Sequence, residues 1–178
     1  MTHMNSTNKK ELDMGQIILE QIVSGGQTGA DRAGLFAGKV LGLKTGGMAP
    51  KGWKTTDGSA PWLEQEYGLV ECTSVDGYVY RTQANVLFAD GTVRFFTKER
   101  SAGKRCMLKT IKRYEKPYID FNLMIHHLNL SLVLFRRWLV DHEIKILNVT
   151  GNSEQTSPGI GLKVAEFLFK ALKQIRKK

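Results

Sequence analysis

The run from Leu19 to Leu41 constrains the fold more than any other part of the chain. Leu19, Ile22 and Val23 make a short apolar stretch that reads as a buried strand, and Gly25-Gly26 turn the chain sharply at its end. A helix is expected at once from Asp31 to Leu41, with Ala33, Leu35, Phe36, Ala37, Val40 and Leu41 as its apolar positions and Gly42 as its stop. Strand, glycine turn and helix in immediate succession is the unit from which parallel α/β sheets are built.

The remainder repeats that grammar. Lys44-Thr45-Gly46-Gly47 predicts a second short strand and turn, and Ala49 to Pro61 has the breakers of a long surface loop. The spacing predicts a helix over Asp76 to Ala84, a buried strand over Val86-Leu87-Phe88-Ala89, and a turn at Asp90-Gly91 leading into Thr92 to Phe96 as a hairpin or kinked extension. Ser101 is a candidate cap for a helix running to Tyr114, and Lys116 to Phe121 is the next strand. A helix over Leu130 to Asp141, a strand over Ile144 to Thr150, a glycine and proline loop over Gly151 to Gly161 and a helix over Leu162 to Ile175 complete the chain. Strands separated by helices imply a mainly parallel sheet with helices on both faces, a three-layer α/β/α domain.

Composition narrows the class. A chain of 178 residues, 42% hydrophobic and 24% charged, is neither wholly disordered nor fibrous. No apolar run reaches the roughly 18 residues of a membrane span, so no membrane partner is expected. Met1 to Lys10 lacks the apolar core of a signal peptide, and residues 1–16 are expected to be a disordered tail before one domain over 17–178. Cys72 and Cys106 have no metal-ligand partner at short spacing, which points to reduced thiols in a cytoplasm. The net charge of +9 suits nucleic acid, an acidic membrane face or an anionic small ligand, and charge alone does not choose among them. Lys170, Lys173, Arg176, Lys177 and Lys178 account for part of it as cations at a helix C-terminus.

In an open parallel sheet ligands gather at the carboxyl ends of the strands, where helix N-termini point free N–H groups. Both glycine loops belong there. Gly25, Gly26 and Gly29 let a phosphate approach the backbone, Gln27 and Thr28 offer hydrogen bonds, Asp31 is placed to cap the helix and Arg32 to face an anion. The loop is neither the dinucleotide fingerprint nor a Walker loop, and such turns also occur with no ligand. Lys51 and Lys54 beside Trp53 could close over a nucleotide, or Trp53 could pack on its own domain. Arg81 and Asn85 share one helical face, toward a ligand or toward solvent. His126-His127 have no carboxylate or cysteine at metal spacing and read as core or surface histidines, so no metal site is expected. Glu64, Glu66 and Glu71 are not positioned as a pair, and no catalytic residue is assigned.

The stretch Ile22-Val23-Ser24-Gly25-Gly26-Gln27-Thr28-Gly29-Ala30-Asp31-Arg32-Ala33 closely resembles the opening of the putative molybdenum carrier family, the circularly permuted YpsA-like branch of the SLOG superfamily. Thr45-Gly46-Gly47 with Pro50-Lys51-Gly52, Arg81 with Asn85, Asn148-Val149-Thr150-Gly151 and Ser157-Pro158-Gly159-Ile160 follow in that family's order. The resemblance implies a Rossmann-like fold, frequent self-association and a pocket for nucleotides or related phosphorylated ligands, with molybdenum cofactor carriage proposed for some relatives. The wider superfamily includes LOG-like enzymes that cleave nucleoside monophosphates and sensors of ADP-ribose-derived signals. The LOG-type PGGxGTxxE motif is missing; Arg100-Ser101-Ala102-Gly103-Lys104-Arg105 stands where its glycine loop would fall, and its charges suit a phosphate at a helix start. Relatives tend to continue the last glycine with Pro-Arg, whereas Asn152-Ser153 follows Gly151 here.

The expected function is therefore a cytoplasmic, self-associating binding protein for a phosphorylated small ligand. Its pocket is expected to combine Gly25, Gly26, Gln27, Thr28, Gly29, Asp31 and Arg32 with Gly46, Gly47, Lys51, Gly52 and Trp53, with Arg81 and Asn85, and with Gly151, Asn152, Ser153, Ser157, Pro158, Gly159 and Ile160. A phosphoribohydrolase-like enzyme and a molybdenum cofactor carrier are the alternatives, followed by single-stranded nucleic-acid binding.

Overall fold

The computed structural model describes residues 15–173 apart from 75, 101, 102 and 126. Residues 1–14 of the tail expected over 1–16, Ser101, His126 and the basic residues from 174 onward lie outside the described residues; the helix expected from a Ser101 cap starts at Lys104 with Gly103 as its N-cap. Along the chain run β1 (Gln21–Val23), α1 (Ala30–Val40), β2 (Lys44–Ala49), a single 3-10 turn (Lys51–Trp53), β3 (Lys54–Thr55), β4 (Gly58–Ser59), α2 (Trp62–Tyr67) and β5 (Leu69–Glu71). They are followed by α3 (Gly77–Phe88), β6 (Gly91–Phe96), α4 (Lys104–Arg113), β7 (Tyr118–Asn122), α5 (Leu128–Asp141), β8 (Ile146–Gly151) and α6 (Ile160–Leu172).

Six strands form one parallel sheet in the order β5-β2-β1-β8-β6-β7. This is the Rossmann-like three-layer α/β/α architecture, with α1, α5 and α6 packed on one face and α3 and α4 on the other. The chain order reverses direction across β1 and β8, whose carboxyl ends open side by side. A ligand crevice is expected at such a switch point. The small β3–β4 hairpin stands apart from the sheet and covers the loop after β1.

Two expectations fail. Val86 to Phe88 continue α3 instead of forming a strand. An apolar run of four residues cannot distinguish strand from helix by periodicity, and the α3 register places Arg81, Asn85 and Val86 inward while Leu87 and Phe88 face outward. Asp90-Gly91 does not open a hairpin; β6 lies between β8 and β7, parallel to both. Its turn is held because the Asp90 carboxylate accepts the N–H groups of Lys145 and Ile146 at 2.9 and 2.7 Å. Sequence reasoning passed over α2 and β5, which follow the loop from Ala49 to Pro61. Their apolar residues Leu63 and Leu69 join Leu35, Ala49, Trp53 and Ala60 in a small separate core.

The main core lies under α1, α5 and α6. Phe167 on α6 packs against Phe95, Phe121 and Phe135, with ring centroids 5.0, 5.2 and 5.6 Å apart. Deleting such a buried ring removes its transfer energy and leaves a cavity. Phe167→Ala is expected to lower unfolding free energy by about 3–5 kcal/mol in urea denaturation. Leu162→Ala, on the same helix but 81% exposed, should change it by less than about 0.5 kcal/mol.

Candidate functional site

The two faces of the central strands carry different chemistry. Side chains alternate along a strand, so Val93 and Phe95 of β6 and Leu147 and Val149 of β8 enter the main core. Thr92, Arg94, Asn148 and Thr150 take the other face, beneath α3 and α4. Strands covered on both sides are usually apolar throughout, and this polar strip is the floor of a cleft. Asn148 donates to Thr92 Oγ1 at 3.2 Å, which fixes the inner end. Arg94, Thr150 and Gly151 form the floor, and Gly25, Gln27 and Asp31 form one wall. Tyr78, Arg81, Thr82 and Asn85 from α3 face them, and Gly103, Lys104 and Met107 at the start of α4 close the end.

One ion pair holds the walls together. The Arg81 guanidinium lies 3.4 Å from the Asp31 carboxylate, with 7% and 5% of the two side chains exposed. It rests over the Tyr78 ring, 4.6 Å from the centroid. A Cβ on residue 25 would stand 1.5 Å from Arg81 Nη1, so the missing side chain of Gly25 is the seat of the guanidinium. Burial pushes the Asp31 carboxyl above its ordinary value, opposed by the Arg81 charge, the Gln27 N–H and Thr150. Burial likewise raises the Tyr78 hydroxyl, with Arg81 opposing. Arg81 Nε and Arg94 Nε are buried and have no hydrogen-bond partner among the described residues.

Four N–H groups of the glycine loop are taken up within the protein. Gly26 N–H donates to Ser24 Oγ, Gln27 N–H to Asp31, Thr28 N–H to Gln27 Oε1 and Ala30 N–H to the Asn152 carbonyl. Gly29 sits at φ 81°, and a Cβ there would meet the Asn152 carbonyl at 2.5 Å, so glycine permits the crossing of the first and last loops. Gln27 Oε1 also accepts Thr56 N–H at 2.9 Å, and Thr28 and Thr56 share a 2.8 Å hydroxyl contact. Arg32 donates to the Gly26 carbonyl and to Thr55, pairs with Asp57 and rests over Trp62. Its guanidinium fastens the β3–β4 hairpin to the loop.

The last loop is held in the same way. Asn152 accepts Thr97 and Lys98 N–H groups at 3.0 Å each and donates to the Lys98 carbonyl, while Ser157 meets Thr97 at 2.5 Å. At the N-terminus of α6 the Glu154 carboxylate accepts Gly159 and Gly161 N–H groups, both at 2.7 Å. A carboxylate of the chain thus answers the helix-end donors that would otherwise attract an anion.

Of the residues expected in the pocket, Gly25, Gln27, Asp31, Arg81, Asn85 and Gly151 line this cleft. Lys51 and Gly52 line an adjoining groove that shares Gln27 and Tyr78 with it. Trp53 packs into the small core, and Gly47 backs against Ser24. Asn85 faces the cleft but spends its amide on both backbone groups of Met48, at 2.8 and 3.0 Å. Gly26, Thr28, Gly29, Arg32, Gly46, Asn152, Ser153, Ser157, Pro158, Gly159 and Ile160 build the surrounding loops without lining the cleft. Arg94 and Tyr78 are among the lining residues that sequence reasoning did not assign to the site. The available signal was the alternation Thr92, Arg94 and Asn148, Thr150 on two otherwise apolar strands. Among the described residues no three His, Cys, Asp or Glu side chains are grouped to hold a metal ion, and no helix is long and apolar enough to cross a membrane.

With this geometry in view, comparison with known proteins settles the lineage. The model of the circularly permutated YpsA SLOG family matches residues 22–172. The chain belongs to that family. A crystal structure of the putative molybdenum carrier protein from Syntrophus aciditrophicus SB is 31% identical and superposes with a TM-score of 0.78. The match covers 86% of this chain and 94% of that one. No curated protein matches.

The buried pair makes a quantitative demand, because removing either partner strands a charge that the other no longer answers. Asp31→Asn and Arg81→Met are each expected to cost about 3–5 kcal/mol of stability. The double variant should cost at least ~1 kcal/mol less than the sum, measured by urea unfolding. Strict additivity would show that the pair is not coupled.

Proposed function

We propose that the protein binds a nucleotide-derived or other phosphorylated small ligand in the cleft between the glycine loop and α3, and carries, senses or sequesters it. The observation that carries this reading is that two buried arginines, Arg81 and Arg94, face one cleft with an unpartnered Nε each. A buried polar group without a partner costs about 1–3 kcal/mol, and native chains keep such groups where a ligand or ion answers them. An oxyanion provides several acceptors at once and forms charge-assisted bonds with guanidinium. The N–H groups of Gly26, Gln27, Thr28 and Ala30 are engaged within the protein, so the arginines are the main anion donors, and Gly25 is what lets Arg81 in. The adjoining groove past Gln27 and Tyr78, with Lys51, Gly52 and Thr56, gives the rest of a nucleotide-sized ligand a place beside the phosphate.

Molybdenum cofactor carriage is the second reading, favoured by the name of the similar Syntrophus protein. A pterin cofactor ending in a phosphate would meet the same two arginines, while the residues around the cleft suit its phosphate and not its metal. Free Cys72 and Cys106 thiols accord with a cytoplasmic setting. The exposed Met124, Ile125, Leu130 and Leu134 beside edge strand β7 accord with association of copies.

Calorimetry with inorganic phosphate, AMP, ADP-ribose and its cyclic forms tests the reading. At least one phosphorylated compound is expected to bind. Arg94→Met should weaken it by about 10- to 100-fold, the loss of one charged hydrogen-bonding partner. Failure of every phosphorylated compound to bind the folded wild-type protein would overturn it.

A further inference from the structure

Arg94 is the least exposed charged residue of the sheet, at 1% of its side chain. Its counter-ions, by contrast, stand in solvent: the Glu99 and Asp120 carboxylates lie 3.9 and 3.5 Å from Nη1 with 63% and 43% of their side chains exposed. Glu99 also pairs with Lys104. One exposed carboxylate therefore spans the two cations at the closed end of the cleft, where β6 leaves the sheet and α4 begins. The first turn of α4 has no acidic residue and its N-cap, Gly103, has no side chain to cap it, so its donors add to the same positive field. The loop does not need the Glu99 carboxylate for its position, since Arg94 Nη2 donates to the Glu99 backbone carbonyl at 2.8 Å.

We propose that Arg94, Lys104 and the first turn of α4 form the subsite for the ligand's phosphate group, and that the Glu99 carboxylate occupies it until ligand arrives. The proposal rests on the reading of the cleft as a phosphate-binding site and adds where the phosphate sits and what it displaces. A tetrahedral dianion brings more charge and more acceptors than a carboxylate at 3.9 Å, and reaches the Arg94 Nε that Glu99 leaves unpartnered. The released Glu99 side chain is already mostly hydrated, so its return to water costs little. Asp120 stays as the fixed counter-ion, steadied by the Tyr118 hydroxyl at 3.2 Å.

The test is calorimetric titration of wild type, Glu99→Gln and Glu166→Gln with inorganic phosphate and with AMP. Glu166 is an exposed carboxylate on α6, across the sheet from the cleft, and controls for net charge. A competitor that holds a site about nine-tenths of the time lowers apparent affinity about tenfold. Glu99→Gln is therefore expected to bind phosphate and AMP about tenfold tighter than wild type, with Glu166→Gln unchanged. If wild type binds and Glu99→Gln gains nothing beyond Glu166→Gln, the Glu99 proposal falls while the phosphate reading stands. If neither wild type nor Glu99→Gln binds any phosphorylated compound, both fall.

Discussion

The Asp31–Arg81 ion pair is the contact on which the rest of the site depends. It joins the first helix to α3 across the carboxyl end of β1, and there is room for it because residue 25 has no side chain. Taking two charges out of water is expensive, and attraction repays it only with close geometry and further hydrogen bonds. Here Asp31 also accepts the Gln27 N–H, and Arg81 lies over the Tyr78 ring. Gly25 thus shapes a seat for a cation, while the N–H groups of Gly26, Gln27, Thr28 and Ala30 are taken up within the protein.

The same economy of donors runs through the other loops. Glu154 fills the anion position at the start of α6, Asn152 clamps the exit of β6, and Gln27 binds the hairpin over the first turn. With those groups satisfied, two guanidinium donors facing the cleft lack a partner among the described residues, Nε of Arg81 on α3 and Nε of Arg94 on β6. Both are walled by low-dielectric protein, where an ion is felt more strongly than at a surface. Family membership fits this picture and does not by itself name a ligand, since one fold hosts many functions.

Much of the fold was legible in the sequence. The strand from Leu19, the helix to Leu41 with its Gly42 stop, and the last strand and helix all follow from apolar periodicity next to glycine punctuation. The strand assigned to Val86–Ala89 was not legible, because four apolar residues look alike on a buried strand and on the end of a helix. Of the site, Gly25, Asp31 and Arg81 were visible as candidates, though not that they touch: Arg81 meets Asp31 only through the folding of α3 over the sheet. Arg94 was hidden inside an apolar strand, and Arg32, prominent beside the motif, turns to the hairpin because Gly26, Thr55 and Asp57 capture it.

The central claim is that a ligand oxyanion is held in the cleft that Arg81 and Arg94 both line. Anomalous diffraction from crystals of the protein grown with tungstate, a heavy tetrahedral oxyanion, locates that position directly. The account predicts a tungsten peak within hydrogen-bonding reach of Nε of Arg81 or Arg94. A peak confined to the α6 N-terminus or the loop around Gly26, or none in the cleft, would contradict it.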